Sequence, residues 1–277
     1  MLHQIISILL LASSFAIADE VVIPANFYYN DKLLEPYCLA FPKDSSKFDP
    51  VSLANCSNID GKITITEDKR DGDTNGFIGY SYKENNNSSF IYYKYLGQIK
   101  GIIYLWTLSS HGKNITIDKA YSEIIRIKKT DQSIVLVMDA VGGAACNGGI
   151  DSASITMGKF SYNQKITPYD FLTLTGNYVS HLRADEDLAS CSICCAGLAH
   201  YDDIKLGYIT LTKSKFISGN EVYSKYQTCF NKLFNQTLLK KNSLDQLGLK
   251  SFIDSFDLEC VKGTNIFDKN QIDGVKK

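Results

Sequence analysis

The chain has 277 residues, 29 basic and 30 acidic side chains, a net charge of −1 and 44% hydrophobic residues. That length is enough for one large domain or two small ones with an ample core. Charge of this balance, with no block of either sign, argues against nucleic-acid and membrane-surface partners, which leave a basic stripe in the sequence.

Residues 1–18 read as a secretory signal. An apolar core from Ile5 to Leu11 is followed by small residues and the small-x-small pattern Ala16-Ile17-Ala18. The segment before this core carries no Lys or Arg. The apolar run is shorter than the ~20 residues that span a bilayer. The expectation is a mature chain starting near Asp19, secreted or periplasmic, with neither a transmembrane segment nor a lipid anchor.

All eight cysteines lie beyond the signal: Cys38, Cys56, Cys146, Cys191, Cys194, Cys195, Cys229 and Cys260. An even number in an exported chain reads as disulfides. Nearest-neighbour spacing favours Cys38–Cys56 and Cys229–Cys260, with Cys146 bonded to one member of the 191–195 cluster. On a strand, Cys191 and Cys195 would sit about 13 Å apart, beyond the roughly 7 Å Cα limit for a bridge. The two cysteines left over would then pair locally; because that is awkward on a strand, one pair is expected to link differently or stay reduced. The cluster also contains a C-x-x-C, with His200 as a conceivable fourth zinc ligand, but the exported setting favours structural bonds over redox or metal chemistry.

Residues 19–57 hold four of the five prolines, Pro24, Pro36, Pro42 and Pro50, and read as an irregular segment fixed by Cys38–Cys56. Five N-x-[ST] sites, at Asn55, Asn86, Asn87, Asn114 and Asn235, make a glycoprotein conceivable on a eukaryotic export route. Residues 61–139 read as successive strands. Residues 62–66 alternate cleanly, 90–96 and 101–108 are rich in β-branched and aromatic residues, and 123–129 with 133–139 form a hairpin.

Within this stretch, Asp71, Asp73 and Asn75 place oxygen ligands at alternate positions before Gly76, the logic of a calcium loop. Position twelve is Tyr82 rather than a bidentate glutamate, so the loop would be a weak, non-EF site. The plainer reading is a polar hairpin turn. No other cofactor is expected. The aromatic residues Tyr82, Tyr92, Tyr93, Tyr95, Tyr104 and Trp106 read chiefly as core, although alternation leaves one of Tyr92 and Tyr93 free to face a ligand.

Residues 135–155 run from an apolar strand through a glycine loop holding Cys146 into a second strand. The loop resembles a backbone nest for an anion, yet it lacks the lysine of a P-loop; a tight connection around a disulfide explains it as well. Residues 152–157, 159–162 and 205–212 read as further strands. Thr167-Pro168 opens a short helix, with Thr167 as N-cap.

After residue 218 the period becomes helical. Val222, Tyr226, Phe230, Leu233 and Leu238 form one apolar stripe, and Leu244, Leu247, Phe252 and Phe256 form another. Ser243 to Gln246 spells a capping box. The organisation expected is a β-rich domain over 19–217, a helical hairpin over 218–263 packed on it, and a flexible tail over 264–277. The fold class is α+β: mainly antiparallel β, sandwich or barrel-like, disulfide-stabilised, with a C-terminal helical hairpin.

The mature histidines are His111, His181 and His200, near carboxylates such as Asp185, Glu186, Asp202 and Asp203. No G-x-S-x-G or H-E-x-x-H accompanies them. The function expected is non-enzymatic: binding a protein, glycan or small ligand outside the cell. The alternative is a secreted hydrolase built on one histidine and a carboxylate.

Overall fold

The computed structural model describes residues 23–40, 49–56, 76–84, 87–110, 120–174, 182–184, 186–212 and 224–263. Within them, a short hairpin of β1 (Tyr28–Tyr29) and β2 (Lys32–Leu33) is followed by helix α1 (Pro36–Ala40), β3 (Val51–Ser52) and α2 (Leu53–Cys56). The Cys38–Cys56 bond ties α1 to α2, with Cα atoms 5.8 Å apart. Phe27, Leu34, Leu39 and Leu53 are fully buried, so the described part of this segment is an apolar lid.

The lid covers a six-stranded antiparallel sheet. Strands β4 (Ile78–Glu84), β5 (Asn87–Ile99), β6 (Ile102–Ser110), β7 (Tyr121–Lys129) and β8 (Ser133–Ala144) form a meander, and β3 pairs with the outer edge of β8. The β5–β6 turn is tighter than the sequence suggests. Lys100 and Gly101 both have positive φ, 49° and 80°, as a two-residue primed turn needs.

A second meander makes a five-stranded antiparallel sheet from β9 (Ile150–Thr156), β10 (Lys159–Ile166), β11 (Gly197–Asp202), β12 (Lys205–Leu211) and β13 (Ser243–Asp245). Helix α3 (Pro168–Thr173) follows β10. Its cap is the expected one, because the Thr167 hydroxyl accepts from the Asp170 amide and the Asp170 carboxylate accepts from the Thr167 amide. Together the sheets curl into a half-barrel.

Two cores result. Between the sheets, Tyr104, Trp106 and Ile124 pack on Ile150, Phe160 and Tyr162. A buried polar relay pins the seam: Trp106 Nε1 donates to Ser122 Oγ at 2.8 Å, and Ser122 Oγ donates to the Ile150 carbonyl at 2.8 Å. The second core lies where α4 (Lys225–Leu238) and α5 (Gln246–Phe256) meet β11–β13. Here Phe171, Phe230, Phe234 and Phe252 make edge-to-face contacts 5.0–6.5 Å apart. Each such pair contributes about 0.5–1.5 kcal/mol beyond area burial. Cys229 and Cys260 fasten α4 to the π-helical turn after α5, Cα atoms 5.7 Å apart.

The C-terminal region differs in one respect from a plain helical hairpin. Ser243 does not cap α5; it lies in β13, which pairs with β12. Asp245 is the cap, accepting from the Gly248 amide at 2.7 Å. Gln246 turns away to donate to the Leu206 carbonyl. Edge pairing with β12 keeps the chain extended for two residues beyond the predicted start.

Candidate functional site

The glycine loop is a fastener. Its amides turn inward: Cys146 N donates to Ser192 O, Asn147 N to Ala144 O, Gly148 N to Lys165 O and Gly149 N to Ala145 O. With these amides engaged, the loop has no nest to offer an anion. Cys146 bonds Cys195, Cα atoms 4.8 Å apart, and so joins the end of β8 to the start of β11.

Cys191 bonds Cys194, and among the described residues no cysteine is free. This is the local pairing that a strand would make awkward. The cluster is not a strand; Cys194 N donates to the Cys191 carbonyl in a turn that brings the Cα atoms to 5.2 Å. While the C-x-x-C is closed, it presents no thiolate to a zinc ion. Among the described residues, no group of three His, Cys, Asp or Glu side chains is arranged to hold a metal. The calcium-loop residues Asp71, Asp73 and Asn75 lie outside the described residues, as do His111, His181, the signal segment and the tail.

The aromatic strands of the first sheet are core. Tyr92, Tyr93, Tyr104 and Trp106 are all under 8% exposed: the lid covers Tyr93, the second sheet covers Tyr104 and Trp106, and Phe77, Phe90, Leu108 and Ala120 enclose Tyr92. Neither Tyr92 nor Tyr93 is exposed.

Among the described residues, what remains open is the outer face of the five-stranded sheet. Cross-strand register lines up Ser152, Asn163, His200, Tyr208 and Asp245 in one row across all five strands. Asn163 Nδ2 donates to Ser152 Oγ at 2.8 Å. The His200 and Tyr208 rings stack with centroids 4.0 Å apart and planes 16° from parallel. His200 Nε2 and Thr210 Oγ1 are 2.8 Å apart, which orients the imidazole. Beside them Asp151 and Lys165 form a half-exposed ion pair at 3.0 Å. Burial pulls the His200 imidazole below its usual value of 6.5, and the Asp151 carboxylate pulls it back up. The net direction favours the neutral ring.

The sequence did not flag β11 as a strand, so it missed this row. Its residues, Gly-Leu-Ala-His-Tyr-Asp, carry no run of β-branched side chains. The signal available was the two-residue turn Asp203-Ile204 before β12. Asp203 has a φ of 55°, a conformation that Asp tolerates.

Concave surface lies elsewhere. One groove of about 330 Å³ runs between α4 and α5, lined by Thr237, Lys240, Leu244 and Phe252. Another, of about 350 Å³, lies at the β12–β13 rim beside Asp202, Lys205 and Leu247. His200 lines neither. No known protein family, no curated protein and no solved structure matches this chain.

Proposed function

We propose that this is an exported, disulfide-fastened binding domain whose recognition surface is the open face of the five-stranded sheet, and that its ligand is a glycan. The observation that carries this reading is the row Ser152–Asn163–His200–Tyr208 with its stacked ring pair. Tyrosine, serine and asparagine are the residue types that binding surfaces use for rigid amphipathic contact and adaptable hydrogen bonding. Tyr208 is 48% exposed and offers a flat ring. Hydroxyls, an amide and an ion pair surround it, which suits a neutral, hydroxyl-rich ligand. A protein partner would want a larger apolar centre than one tyrosine provides.

Four disulfides fit an extracellular setting. Among the described residues no helix is long and apolar enough to cross a membrane. The calcium loop at Asp71, Asp73 and Asn75 is a separate proposal; a thermal midpoint unmoved by millimolar calcium against a chelator counts against it. A hydrolase has one observation in its favour, the contact of His200 Nε2 with the Thr210 hydroxyl.

The test is a glycan array probed with the disulfide-intact protein, its Tyr208→Ala variant and its Thr210→Val variant. Binding by the wild type and Thr210→Val but not by Tyr208→Ala supports recognition on this face. Turnover of a bound glycan that Thr210→Val abolishes supports the hydrolase instead.

A further inference from the structure

Arg126 is the side chain that the fold does not explain. It lies on β7, opposite Tyr104 of β6 and Met138 of β8. It is only 4% exposed, yet its Nε is sealed from solvent without a hydrogen-bond partner. Among the described residues its one ion pair joins Nη1 to Asp203 Oδ1 at 4.0 Å, and the Asp203 side chain is 61% exposed. A guanidinium has five donors in a planar fork and cannot shed its charge. Burying it with so little compensation is strongly unfavourable, so a partner is the expected explanation.

The surroundings are the aromatic part of the core between the sheets. Tyr104, Phe160, Tyr162 and Tyr201 form a continuous ring ladder from the first sheet into the second, with successive centroids 4.8, 5.4 and 4.7 Å apart. Burial raises the Tyr104 and Tyr162 phenols, the latter to about 12, while Arg126 lowers both and Asp203 raises both. The two phenols, the guanidinium and the carboxylate are thus in mutual electrostatic reach. Asp203 sits at a hairpin tip, where a side chain swings away readily.

We propose that Arg126 anchors a binding site for a small carboxylate ligand in the seam between the two sheets, with the Tyr104 and Tyr162 hydroxyls beside it and Asp203 at its rim. The fork of a guanidinium matches a carboxylate in a bidentate pair. One positive charge, partly offset by Asp203, suits a monoanion better than a phosphate dianion. Flat rings on one side suit a flat ligand body. This site is independent of the open sheet face.

Thermal unfolding of the disulfide-intact protein in sodium benzoate, against sodium chloride of equal ionic strength, tests the proposal. Benzoate raises the wild-type midpoint saturably, and Arg126→Gln abolishes the rise. Asp203→Asn removes the competing carboxylate and tightens benzoate binding about twofold to fivefold, the fold-change that one exposed charge pair is worth. The proposal is overturned by no saturable benzoate effect beyond chloride, by an equal effect in Arg126→Gln, or by inorganic phosphate acting where benzoate does not. Should Arg126→Gln fail to fold, Asp203→Asn decides: benzoate affinity that is unchanged or weaker contradicts the site.

Discussion

The two sheets are built from similar short antiparallel strands but stand in different surroundings. Eight of the nine residues of β6 are buried, whereas β9 alternates between buried or half-buried and exposed positions along most of its length. The difference comes from what covers them. The six-stranded sheet is packed by the N-terminal lid on one face and by the second sheet on the other. Among the described residues, the five-stranded sheet is packed on its inner face, by the first sheet at β9–β10 and by the helices at β11–β13. A sheet covered twice reads as continuous apolar and aromatic residues, and a sheet covered once alternates. Stability therefore resides mainly in the first sheet and the helical core, which leaves the outer face of the second for the recognition proposed above.

The largest expected effect concerns the bond between them. Cys146–Cys195 closes a loop of 49 residues, and removing it by a double serine substitution lowers stability by about 4 kcal/mol in the chain-entropy account. Cys191–Cys194 closes a separation of only 3, and its loss lowers stability by about 1.6 kcal/mol. Urea midpoints of the two double variants rank these values; the reverse order breaks the picture of a clip between sheets.

Next is Leu105→Ala in the doubly covered sheet. Leu105 is fully buried, so the change leaves a cavity and lowers stability by about 2–5 kcal/mol in denaturant unfolding. Tyr208→Ala on the open face stays within about 0.5 kcal/mol of wild type. Tyr93→Phe sharpens the same contrast in the opposite direction. The Tyr93 hydroxyl is buried without a partner, so its removal raises stability by about 1 kcal/mol in the same assay.

The smallest effect is that of pH. The folded-state pKa of His200 lies below its unfolded value of 6.5, so its contribution to stability is complete above pH 6.5 and is lost as pH falls through the folded value. In a pH series of unfolding midpoints, His200→Gln flattens that part of the slope. An unchanged slope assigns it to other groups.

Much of this architecture was legible in residue order. The β5–β6 and β7–β8 hairpins announce themselves through β-branched and aromatic runs broken by turn residues, and α3 through Thr167-Pro168. The pairing of Cys146 into the cluster followed from spacing alone. The Cys191–Cys194 turn did not, because a strand was assumed where Ala196 N, bonding to Ile166 O, begins pairing only after the cysteines. β11 and β13 were illegible for a related reason. Each is held by ladder bonds to β12 and not by strong local preference, so the row through His200 exists only once the sheet has assembled. Arg126 was equally silent, since a lone arginine in Ile-Ile-Arg-Ile reads as an outward position of an alternating strand until the second sheet closes over it.

Carbene footprinting of the protein with and without the glycan it binds best tests the central claim most directly. The account predicts label loss concentrated on Ser152, Asn163, His200 and Tyr208, with the helices α4 and α5 labelled as before. Protection of the α4–α5 groove, with the open sheet face labelled equally in both states, contradicts it.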